Sequence, residues 1–127
     1  MTTVAAVLFA VVTAGVIVFQ IGLALGAPWG AYAMGGRYPG RYPAGMRVAA
    51  VVQAVALVVL AVIVLSTAGL VVPSLSEGFP WLVWLTVAFS AVSLVLNLIT
   101  PSAGERRIWA PVGAVLLASS LTVALTA

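Results

Sequence analysis

The chain has 127 residues, 65% of them hydrophobic and only 6% charged, with no Cys and no His. A soluble domain typically carries about 25% charged residues, so the composition excludes a water-facing globule. The missing Cys and His exclude thiolate chemistry, disulfides, zinc sites and haem ligation through those residues.

The first element reads as a membrane span from about Thr3 to Gly26. Ala24-Leu25-Gly26 resembles a signal-peptide cleavage site, but no positive region precedes the apolar run and the run is too long. A retained helix is therefore expected. Ala27 to Met46 follows as a loop, broken by Pro28, Pro39 and Pro43 and rich in Gly. It contains a short duplication, Arg37-Tyr38-Pro39-Gly40-Arg41-Tyr42-Pro43. Trp29, Tyr32, Tyr38 and Tyr42 suit a bilayer interface, where one end of each ring is wet.

The second span reads from Arg47 to Val72, ended by Gly69 and Pro73. A short turn leads to the third span, from Pro80 to Thr100. Ser102 and Glu105 match a capping box, in which each side chain accepts from a backbone N–H at a helix start. The fourth span follows, over about 103–126, with Pro111 expected to kink it or loosen its first turns. The fold class is thus all-α: an integral membrane four-helix up-down bundle, one domain over residues 1–127, with a partly re-entrant first loop.

All seven charges are confined to three short stretches at or between the span ends: Arg37, Arg41 and Arg47 in one, Glu77 in another, Glu105, Arg106 and Arg107 in the third. Arginine marks the cytoplasmic side of membrane proteins. The expected orientation places both arginine loops in the cytoplasm and both termini outside, in an inner membrane. A net charge of +3 built this way speaks for orientation, and no nucleic-acid partner is expected.

Three long polar side chains stand out within the spans. Gln20, Gln53 and Asn97 fall at similar depth in an antiparallel bundle, beneath Arg47, Glu105 and Arg106. They form either a polar pocket facing the cytoplasm or a set of interhelical clamps. Thr86, Ser90, Ser93 and Asn97 share one helix face by their offsets of four, three and four. That stripe lines a solute path or forms a packing seam; Ala110, Ala114, Ala118 and Thr122, and Gly22-x-x-x-Gly26, are similar small-residue patterns. Candidate solute-binding residues are therefore Gln20, Gln53, Asn97, Arg47, Glu105, Arg106, Ser93 and Ser90. Arg37, Arg41, Tyr38, Tyr42 and Trp29 are candidates for anionic lipid headgroups. Glu105 has the simpler role of helix cap. Arg47 and Arg106 begin helices, at the positive dipole end, and call for a compensating anion.

No ionisable residue lies inside a span, which disfavours proton-coupled transport. No metal site, cofactor or catalytic base is visible. The pattern Gln20…Gly26-x-Pro28-x-Gly30, Gly35-Gly36, Met46-Arg47, Asn97 and Glu105-Arg106…Pro111 resembles a family of small bacterial four-helix membrane proteins without an assigned activity. The resemblance implies the four-helix fold and a distinctive cytoplasmic-side cluster, and no reaction. Some members carry a Glu where this chain has Ala31. Three functions stay open: binding or passage of a small neutral or anionic solute, an accessory or lipid-binding role, and an intramembrane lipid-modifying enzyme. A bundle this small also suggests a homo-oligomer or a larger membrane partner.

Overall fold

The computed structural model describes residues 1–127. Four long helices form the body: α1 (Thr2–Ala24), α2 (Ala44–Thr67), α4 (Leu82–Ile99) and α5 (Ala103–Thr126), with a short α3 (Pro73–Gly78) between α2 and α4. All four long helices are long and apolar enough to cross a membrane. The shortest, α4, has 18 residues, or about 27 Å of rise. With Trp81 and Trp84 at its start, it matches a hydrocarbon core of about 30 Å. Only 24 of 127 residues are buried, while Val4, Val11, Val18, Val55, Val92 and many other large apolar side chains face outward. An outer surface of that kind is stable in lipid, not in water. The chain is a small polytopic helical membrane protein.

Helix boundaries follow local chemistry. Both α1 and α2 stop earlier than hydrophobicity alone suggests, because a glycine with positive φ ends each one: Gly26 (φ +95°) and Gly69 (φ +77°). At the first, Gly26 N–H donates to Leu23 O and Ala27 N–H to Gly22 O; at the second, Gly69 N–H donates to Ser66 O and Leu70 N–H to Leu65 O. These paired bonds satisfy carbonyls that a helix end otherwise leaves bare. Pro43 precedes α2, which begins at Ala44 rather than Arg47. The expected turn after α2 is partly helical: Ser66 Oγ donates to Val72 O (2.8 Å) and accepts from Ser76 N–H (3.0 Å), fixing α3. α5 runs continuously through Pro111.

The helices alternate in direction, and their packing is uneven. One core joins the N-terminal part of α1 (Ala5, Ala6, Phe9), the C-terminal part of α2 (Leu60, Ile63, Val64), Val83 of α4 and Val123 of α5. It occupies the end of the bundle that holds both termini and α3. The opposite end has only a small cluster of Leu23, Tyr42 and Ala50. α1 packs along α2 and α5, and α4 packs along α5, whereas α2 and α4 meet sparsely. A gap between α2 and α4 therefore opens toward the arginine-loop end.

Candidate functional site

The loop from Ala27 to Pro43 folds over the open end of the bundle. It makes two short 3-10 turns, Gly30–Tyr32 and Met34–Gly36. Three successive residues in the second have positive φ: Met34 (51°), Gly35 (68°) and Gly36 (76°). Such a backbone costs a non-Gly residue about 1–2 kcal/mol, so Met34 stays there because its neighbours hold it. Gly35 N–H donates to Glu105 Oε2 at 2.8 Å. Ser102 Oγ donates to Ala31 O at 2.8 Å, and Trp109 Nε1 donates to Tyr32 O at 2.7 Å. Three contacts thus moor the loop to the first turns of α5.

Close approach completes the mooring. Trp29 lies against Gly22 and stacks on Phe19, with ring centroids 5.9 Å apart, and Phe19 meets Trp109 at 4.6 Å. Tyr32 lies against Gly104, and the Tyr38 carbonyl fills the space that a Cβ on Gly30 would need. Gly22 and Gly26, a small-residue pair in the sequence, receive Trp29 and Arg47 of the same chain.

Beneath the loop lies a cavity of about 690 Å³. All four long helices contribute to it, and Gln20, Gln53, Asn97 and Ser93 all line it. None of these four side chains donates or accepts a side-chain hydrogen bond within the protein. Nor are their polar atoms sealed from solvent, since Thr13 Oγ1 is the one buried side-chain polar atom without a partner. The clamp alternative requires amide bonds between helices, and none of the three amides forms one. All three belong to the cavity lining.

The hydroxyl stripe of α4 divides between two roles. Thr86 and Ser90 are buried toward the packed end, and Thr86 Oγ1 turns back to Leu82 O (3.4 Å). Ser90 does not reach the cavity; Ser93 and Asn97, further along the same face, do. The α5 small-residue stripe points outward at Ala114 and Ala118. Gly113 instead meets Leu94 of α4.

Glu105 departs from its expected role as a reciprocal cap. Ser102 Oγ does accept from Glu105 N–H (3.2 Å), but the carboxylate does not return to Ser102 N–H, which donates to Thr100 Oγ1. The carboxylate crosses to the loop instead. Its Oε2 accepts from Gly35 N–H and from Thr100 Oγ1 (3.2 Å). Glu105 is 8% exposed, lines the cavity and forms no ion pair. The loop backbone outcompetes the helix start because its left-handed turn presents a free N–H to the acid.

The arginines also separate. Arg47 Nε donates to Tyr42 O (3.0 Å) and Arg106 Nη1 to Thr100 O (3.1 Å). Each expected anion is thus replaced by a backbone carbonyl, and neither residue lines the cavity. Arg37 is exposed and reaches the cavity mouth, while Arg41 is exposed outside it. Among the aromatic lipid candidates, Trp29 is exposed and Tyr38 half-buried. Tyr42 turns inward: it is 4% exposed, meets Tyr38 edge-on at 6.0 Å and forms part of the cavity wall. Burial, and then the Glu105 carboxylate and Tyr38, raise its phenol above the ordinary value.

Sequence reasoning missed the aromatic part of this wall, made by Phe19, Tyr32, Tyr42, Phe89 and Trp109. Phe89 was the available signal, because it precedes Ser93 by four residues and so shares a helix face with Ser93 and Asn97. No protein-family model, curated protein or solved structure matches the chain.

Proposed function

We propose that this membrane protein is a non-enzymatic binder or conduit for a small solute, which enters the cavity from the arginine-loop side. By the arginine rule that side is cytoplasmic. One observation carries the reading: three amide side chains from three helices converge on one cavity without bonding to the protein. A polar side chain held inside a lipid-embedded bundle without a protein partner is unfavourable unless water or a guest meets it. In a bundle set in lipid, Leu at those positions would pack better, so a guest or its water is the natural partner of the amides.

The matched four-carbon probes butylammonium, butyramide and butyrate test it, by calorimetry on protein in lipid nanodiscs with empty discs as blank. The chain should bind at least one of them. The triple variant Gln20→Leu, Gln53→Leu, Asn97→Leu should keep its helicity and monodispersity and lose that binding at least tenfold. No binding by the native chain, or equal binding by a folded triple variant, would remove this reading.

A second reading has its own support. Arg37 and Arg41 are exposed and their guanidinium groups make no hydrogen bond to the protein, which suits contact with anionic headgroups. Replacing both with Gln should weaken a salt-sensitive preference for anionic lipid. Equal association with neutral and anionic bilayers by the native chain would exclude it.

A further inference from the structure

Resting on the solute-binding reading, the cavity's chemistry narrows the guest further than the amides do. Neutral or anionic guests are what the sequence suggests, because its charges are mostly arginine. Inside the fold the balance reverses. Arg47 and Arg106 are taken by the carbonyls of Tyr42 and Thr100. Arg37 is exposed at the mouth, where solvent and salt weaken its field. The charge that is buried on the wall is the carboxylate of Glu105.

That carboxylate is only half satisfied. Both of its hydrogen bonds fall on Oε2; Oε1 accepts nothing from the protein, yet it is not sealed off. The N-terminus of α5 supplies part of a compensating charge, and no cation lies in ion-pair contact. A buried carboxylate without a cation is costly, and a cationic guest relieves that cost. Around it are groups suited to an ammonium. Asn97, Gln20 and Gln53 can each present an amide oxygen. Phe19, Tyr42 and Trp109 on the same wall are aromatic, the side-chain class that attracts cations through its π electrons. Deeper in the same cavity the wall turns apolar, with Val16, Leu57 and Leu116.

We propose that the cavity takes a primary alkylammonium, its head at Glu105 Oε1 among the amides and aromatics, its alkyl tail toward Leu57 and Leu116. The carboxylate supplies selectivity for positive charge, and the amides supply acceptors for the remaining N–H groups. A carboxylate or phosphate guest would meet Glu105 as a like charge.

The same four-carbon series separates this from the broader reading. In nanodiscs the native chain should bind butylammonium at least tenfold more tightly than butyramide, and butyrate more weakly than both. Glu105→Gln keeps an acceptor for Gly35 and Thr100 while removing the charge. It should lower butylammonium affinity at least tenfold and leave butyramide within about twofold. Arg37→Gln should leave butylammonium binding equal or tighter. Butyramide binding as tightly as butylammonium would overturn the proposal and leave the solute site standing. So would tightest binding of butyrate, especially if Arg37→Gln abolished it. Binding of none of the three would remove both. Should Glu105→Gln fail to fold, the butylammonium-to-butyramide ratio of the native chain still decides.

Discussion

Gly35 and Glu105 are 70 positions apart and joined by one hydrogen bond of 2.8 Å. It links the left-handed turn of the first loop to the first turn of α5, and so ties the cover of the cavity to its wall. A bond of this kind to a charged acceptor is worth about 1.5–3 kcal/mol.

Glu105→Ala should therefore cost about 2 kcal/mol and free the loop, because Met34 has no local reason to hold a positive φ. Glu105→Gln should recover most of that stability. Thermal unfolding in nanodiscs and hydrogen exchange at the Gly35 amide read the two effects. An unchanged exchange rate in Glu105→Ala would show that the bond does not hold the loop.

Two glycines should respond in opposite directions. A Cβ on Gly30 would run into the Tyr38 and Gly40 carbonyls, and Gly30 N–H already donates to Gly40 O at 2.9 Å. Backbone on both sides leaves little room to yield, so Gly30→Ala should cost several kcal/mol or prevent folding, on the order of the severe strain and overpacking cases. Gly15 has open space at the same position and sits in mid-helix, so Gly15→Ala should stabilise by up to about 1 kcal/mol. Equal melting temperatures for the two variants would contradict the described loop crossing.

Ser66 is 1% exposed and serves two backbone groups at once, Val72 O and Ser76 N–H. Ser66→Ala strands both, so a loss of about 2–4 kcal/mol is expected from two unmade bonds. Ser76→Ala, which leaves the Ser76 N–H bond to Ser66 in place, should cost less. The reverse order of melting temperatures would argue against Ser66 as the pin of α3.

Tyr42 gives an optical probe of the buried charge. Its phenol lies above the ordinary 10.0, through burial first and the Glu105 carboxylate next. A raised folded value means that the folded state holds the proton more tightly than the unfolded one. The stability linked to this group is whole below pH about 10 and fades as pH rises through the folded value. One of the three tyrosines should thus ionise late in a near-ultraviolet titration, and Glu105→Gln should bring it partway down. A titration curve untouched by Glu105→Gln would place the charge away from Tyr42.

Much of this architecture was legible in the residues, for identifiable reasons. Apolar runs between Arg and Glu stretches mark four spans, since charge in hydrocarbon is costly. The convergence of Gln20, Gln53 and Asn97 follows from their distance to helix ends in an alternating bundle. What stayed hidden depends on side-chain competition. Ser102-x-x-Glu105 reads as a local cap, and nothing nearby in sequence announces that Gly35 offers a better donor. Arg47 and Arg106 read as charges in need of anions because carbonyl partners have no sequence signature. The burial of Tyr42 but not Tyr38, in two copies of the same Arg-Tyr-Pro unit, depends on how the loop closes rather than on composition.

The interlocked core around Phe9 and Val64 sits at one pole, and the amide-lined hollow at the other. Regions with few buried apolar contacts open first, so the molecule has a built-in fulcrum. By that rule the packing sets the expectation that opening grows with distance from Val64 and is largest where α2 faces α4. The proposed guest would arrive at the most yielding part of the protein, while the far pole keeps the four rods in register.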